Sequence, residues 1–95
     1  MTPTTVTLMW EAKAAQGRGA ELLAWARERA RERARELAYE PLRREVFRAG
    51  PDRVLVMTWW EAADVAAELP ELPEPAADLS ARPVHRWRFE SLGVA

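Results

Sequence analysis

Ninety-five residues, a formal charge of −1 and no cysteine describe one domain, residues 1–95, with no basic field to draw nucleic acid and no disulfide, thiolate metal site or cysteine nucleophile. The start, Met1-Thr-Pro-Thr-Thr, lacks a basic segment leading into an apolar run, and no stretch approaches the roughly 20 apolar residues that span a bilayer. We therefore expect a soluble cytoplasmic protein without membrane or nucleic-acid partners, too small to hold both a full core and a large private cavity.

From Thr5 to Lys13 the chain alternates, with Val6, Leu8, Trp10 and Ala12 on one side and Thr7, Met9, Glu11 and Lys13 on the other. This is the pattern of a strand. Gln16-Gly-Arg-Gly19 breaks it, and it lacks the lysine and further glycines of a phosphate loop. Apolar residues then recur at Leu23, Ala26, Ala30, Ala34 and Leu37, predicting a helix over 19–38, about 30 Å long at ~1.5 Å per residue. Its run "RERARERARE" pairs Glu28 with Arg31, Arg29 with Glu32 and Glu32 with Arg35, the mark of a solvated face rather than a nucleic-acid stripe.

Pro41 ends the helix. Residues 42–48 and 53–60 read as two strands of a hairpin turning at Ala49-Gly-Pro-Asp52. Ala62 to Leu69 predicts two helical turns before Pro70, Pro73 and Pro75 forbid continuation, and "ELPELPEPAAD" follows as an extended acidic connection. "PVHRWRFE", from Pro83 to Glu90, alternates as a fourth strand. The order strand, helix, strand, strand, helix, strand is that of an α+β, ferredoxin-like βαββαβ fold with a four-stranded antiparallel sheet.

A hairpin turn centred on Gly50 and Pro51 pairs Phe47 with Val54, Glu45 with Val56 and Arg43 with Thr58. On that register Trp59 lies under the helices, and Trp60 projects from the bare face with Arg43, Glu45, Phe47 and Thr58. A shift of one residue in the turn exchanges the roles of the two tryptophans. A large aromatic among polar groups on a bare face marks a subunit interface or a ligand cavity.

His85, the only histidine, shares a strand face with Trp87 and Phe89. It offers a general base or a haem ligand, and equally a packed interface histidine. Arg43 and Glu45 can hold an anionic or phenolic ligand and orient a proton transfer, or join a salt bridge between subunits. Arg86 and Arg88, opposite His85, read as rim residues. Trp25 lies off the main helical stripe and is expected against the first strand or a partner.

The stretches "VTLMWEAKAAQGRGAELLAW", "LRREVFR" with "DRVLVMTWWEAADV", and "VHRWRFE" together resemble the antibiotic-biosynthesis monooxygenase family of dimeric α+β barrels. The resemblance implies a homodimer whose sheets face each other. It also implies a cofactor-free monooxygenase acting on an aromatic, polyketide-like compound, with Trp60 and Trp10 at the cavity positions; the reading of the residues adds His85 or Glu45 as base and Arg43, Phe47 and Thr58 against the ligand. Haem-degrading members carry an asparagine where Trp10 stands and a histidine on the second helix, where this chain has "DVAAELPELPEP". A non-catalytic dimeric binding module and a haem-binding relative are the alternative readings. Residue patterning places Trp10 under the helices, and the resemblance places it in the ligand cavity.

Overall fold

The computed structural model describes residues 3–36 and 40–94. Strands β1 (Thr4–Lys13), β2 (Arg43–Ala49), β3 (Arg53–Ala62) and β4 (His85–Ser91) form one antiparallel sheet in the order β2-β3-β1-β4, and helix α1 (Gly19–Glu36) follows β1. This is an α+β fold of the ferredoxin-like kind with one helix among the described residues.

Alternation in β1 acts as expected: Val6, Leu8, Trp10 and Ala12 are buried on the helix side of the sheet, Trp10 and Ala12 in the cluster that includes α1, and Val6 and Leu8 with Trp60 and Leu69. The helix answers with Leu22, Ala26, Ala30 and Ala34, a stripe of strict four-residue steps. Leu23 packs beside this core only partly buried, and Leu37 and Ala38 lie outside the described residues. Trp25 does meet the first strand, its ring stacked on Trp10 at 5.9 Å between centroids. Of the expected helix pairs, Glu28–Arg31 closes at 3.1 Å and Arg29–Glu32 at 2.8 Å. Arg35 turns to Glu28 at 3.8 Å instead of to Glu32.

The hairpin register differs from expectation by one residue. Ala49 pairs with Arg53, Phe47 with Leu55, Glu45 with Met57 and Arg43 with Trp59, so the loop holds three residues, Gly50 to Asp52. Pro51 fixes φ near −65°, which bars a type I′ turn on Gly50-Pro51, and the chain takes one residue more, with Gly50 at φ 61°. Every β3 side chain thereby changes face. Trp60, 3 % exposed, lies with Val54, Val56 and Thr58 on the helix side, and Trp59 stands on the bare face beside Arg43.

The second correction is the expected helix over 62–69, which is absent. Asp64 accepts a hydrogen bond from the Ala66 amide at 2.9 Å and its own carbonyl takes the Ala67 amide at 3.2 Å. This local turn competes with a helix too short to nucleate before the prolines. Residues 63–84 instead run as an irregular strap over the helix-side face, inserting Leu69, Leu72 and Leu79, each buried, where a second helix would lie. Leu69 joins Val6, Leu8 and Trp60, whereas Leu72 and Leu79 join Trp10, Leu22 and Val84.

Arg86 and Arg88 are fasteners for this strap rather than rim residues. Arg86 donates to the Leu72 carbonyl at 2.5 Å, and Arg88 to those of Ala67 and Val65 at 2.6 and 3.1 Å. Arg88 also binds Glu71 at 3.0 Å, and the Trp10 indole donates to the Pro73 carbonyl at 3.2 Å.

Candidate functional site

The residues expected to form one site divide between the two faces of the sheet. On the helix side, Trp10, Thr58 and Trp60 line a narrow crevice between α1, the sheet and the strap, with Leu8, Val56, Leu72, Arg33, Arg44, Glu71 and Arg86. The Trp60 indole donates to the Thr58 hydroxyl at 2.8 Å, which fixes the ring within the wall. The crevice measures about 30 Å³, room for one or two waters. At Ala34, Pro41 and Arg44 it meets a wider depression of about 470 Å³, bordered by Arg31, Arg35, Glu40, Leu42 and Arg43.

The bare face carries the other candidates in cross-strand rows. Arg43 pairs with Trp59, Trp59 with Thr7, and Thr7 with Phe89; Glu45, Met57, Met9 and Trp87 form the next row; Phe47, Leu55, Glu11 and His85 form the third. The Arg43 guanidinium sits 5.4 Å from the Trp59 ring centroid and binds Glu45, so its charge is already engaged. Glu45 and His85, the two candidate bases, stand on opposite edge strands and in adjacent rows, three strand spacings or at least about 14 Å apart at ~4.8 Å per spacing. They do not form a pair.

His85 instead meets Glu11, which the sequence reading had not singled out, with Nδ1 3.5 Å from the carboxylate. Arg82 donates to that carboxylate at 2.6 Å, and Arg53 approaches to 3.9 Å. The Arg82 hydrogen bond holds the Glu11 carboxyl below the usual range despite its partial burial, with the charges of Arg82, Arg53 and His85 adding to the effect. Glu11, His85, Arg53, Phe47, Leu55 and Met9 border a shallow depression of about 310 Å³. Alternation along β1 put Glu11 on this face, but its contact with His85 depends on β1 and β4 being neighbours, a long-range pairing that no local pattern carries.

Among the described residues no group of three or more His, Asp or Glu side chains is placed to hold a metal ion, and no helix is long and apolar enough to cross a membrane. Fold and site together define a small ferredoxin-like α+β protein with an aromatic-lined crevice under its helix and an uncovered, partly apolar sheet face. No family model matches this chain, and comparisons with curated proteins and with solved structures find no match either.

Proposed function

We propose that this protein is a homodimeric small-molecule-binding module of the dimeric α+β barrel kind, with two sheets packed face to face and a planar aromatic ligand held in each protomer's helix-side crevice. The observation that carries this reading is the division of the sheet into a sealed face and a bare one. The bare face presents Phe47, Leu55, Met57, Trp59, Trp87 and Phe89, with Trp87 65 % and Phe89 46 % exposed. An apolar patch of this kind on a small domain marks an association surface. Pairing through it leaves the crevice, on the other side, outside the interface, and a ligand enters it by displacing the strap.

The second reading, a cofactor-free monooxygenase acting on an aromatic compound, is favoured by Trp10, Thr58 and Trp60 lining one crevice, as the family resemblance implies. It asks for a base in contact with the ligand. His85 and Glu45 stand on the opposite face, and Glu71 is the carboxylate that lines the crevice, with Arg88 bound to it at 3.0 Å. In this reading Glu71 takes the proton once the strap opens. The haem reading has less support, because His85 faces away from the crevice.

Sedimentation velocity tests the proposal. The wild type should run as a dimer at micromolar concentration, and Trp87→Glu, which sets a charge in the middle of the interface, should run as a folded monomer. A wild-type monomer throughout that range would overturn the dimer. Oxygen uptake with anthrone or hydroquinone compounds separates enzyme from binding module, and loss of uptake in Glu71→Gln with ligand affinity retained would identify the base.

A further inference from the structure

Five arginines gather where the crevice meets the outer depression: Arg31, Arg33, Arg35, Arg43 and Arg44, with Glu40 the acidic residue on that border. Four of them are engaged by carboxylates. Arg31 and Arg35 share Glu28, Arg33 has Glu36 at 3.5 Å, and Arg43 has Glu45. Arg44 differs from these. One of its nitrogens donates to the Ala30 carbonyl at 3.3 Å, and no carboxylate of the described residues lies within ion-pair distance. Beside it in the same crevice, the Nε of Arg33 is buried without a hydrogen-bond partner.

We infer that the ligand of this crevice is an aromatic carboxylate, its anionic group held by Arg44 with Arg33 alongside and its ring directed toward Thr58 and Trp60. The inference rests on the crevice being the ligand site proposed above, and it adds the charge and chemical class of what enters. A guanidinium keeps a rigid fork of donors that matches a carboxylate with two parallel N–H···O bonds. The contact of Arg44 with Ala30 fixes the position of that fork while leaving further donors free. The helix stripe of alanines matters here too: Ala30 and Ala34 present only methyl groups to a crevice of about 30 Å³, so a ring enters beneath α1 as the strap residues Pro70, Glu71 and Leu72 move outward. Arg43, on the opposite face of β2 and held there by its contacts with Trp59 and Glu45, is not the anchor; its neighbour is.

Calorimetric titration of the full chain with naphthoate and with naphthylmethanol, a neutral ring of the same size, tests this. Naphthoate should bind about tenfold or more tightly than the alcohol, as expected for charge-assisted hydrogen bonds that the alcohol cannot make. Arg44→Gln should abolish that preference, and Arg48→Gln, an exposed arginine of the same strand that does not border the crevice, should preserve it, with both variants melting as the wild type does. Equal binding of the two probes, unchanged in Arg44→Gln, would overturn the inference and leave the crevice as a site for neutral rings. Binding of neither probe would overturn the inference together with the ligand reading on which it rests.

Discussion

Gly19 opens α1 directly against the hairpin loop, and Gly19→Ala tests that junction. A methyl built at this position lies 1.8 Å from the Pro51 carbonyl oxygen and 3.0 Å from its carbon. The gap must widen to at least 3.0 Å, and what must yield is backbone rather than a flexible side-chain end. The loop is tied to the end of β1 by the Ala14 amide donating to the Asp52 carbonyl at 2.6 Å, so a shift that relieves the clash strains or breaks this bond. Overpacking of this kind costs about 1–3 kcal/mol and the weakened hydrogen bond about 1 kcal/mol. The better helix propensity of alanine returns at most about 1 kcal/mol. The net loss of about 1–3 kcal/mol corresponds to a fall in Tm of roughly 5–20 °C for a domain of this size. Urea titration read by tryptophan fluorescence, at one fixed protein concentration, should show a lower midpoint with an unchanged slope. Gly17→Ala is the control. Gly17 has φ 77° with open space around it, so the substitution costs only the backbone strain of about 1–2 kcal/mol. A Gly19→Ala midpoint equal to that of the wild type would refute the close approach of helix and loop.

Glu11→Gln should destabilise the fold near neutral pH, with a sign set by the lowered pKa of Glu11. A carboxyl whose folded pKa lies below its ordinary 4.5 contributes stability above that value and loses it as pH falls through the folded pKa. The difference between wild type and variant in urea midpoint should therefore shrink steadily below pH 4.5, and a difference constant into strong acid would count against the Arg82 contact as its source. Arg88→Ala removes the donors to Ala67, Val65 and Glu71 and should speed limited proteolysis within residues 65–74 by about tenfold, on the order of one charge-assisted hydrogen bond, while β1 and β3 stay protected. Unchanged cleavage would mean that the buried leucines, Arg86 and Trp10 hold the strap without help from Arg88.

The strands and the long helix were legible because each buries one face, and burial writes its period into the residues. Val6, Leu8, Trp10 and Ala12 could hardly point elsewhere, which also resolves the conflict over Trp10: the helix-side face and the crevice wall are the same place. The exchange of Trp59 and Trp60 came from one residue of loop length: Pro51 rules out the two-residue type I′ turn, but both tryptophans are bulky enough for either face, so the apolar pattern of β3 alone does not reveal the shift. The strap was illegible for a different reason. Its attachments are backbone carbonyls reached by arginines from a distant strand, and a carbonyl has no signature in the sequence. The candidate site was half legible: residue types drew attention to His85, Phe47 and Trp60, but the contacts that give them company, Glu11 for His85 and Arg44 near Trp60, follow from strand order and register.

The strap fastened by Arg86, Arg88 and Trp10 has an evolutionary side. Because the donors come from β1 and β4 and most of their acceptors are main-chain atoms, with Glu71 and Glu74 the side chains that also take part, the other strap positions between the buried leucines can change without weakening its attachment. Such a segment can be rewritten, lengthened or shortened over a conserved frame, and with it the shape and chemistry of the crevice beneath. A helix in the same place would not permit this, since its packing stripe would tie every turn to the sheet. With one helix among the described residues, this chain covers its crevice with a segment whose side chains are less bound to a packing stripe than those of a helix would be.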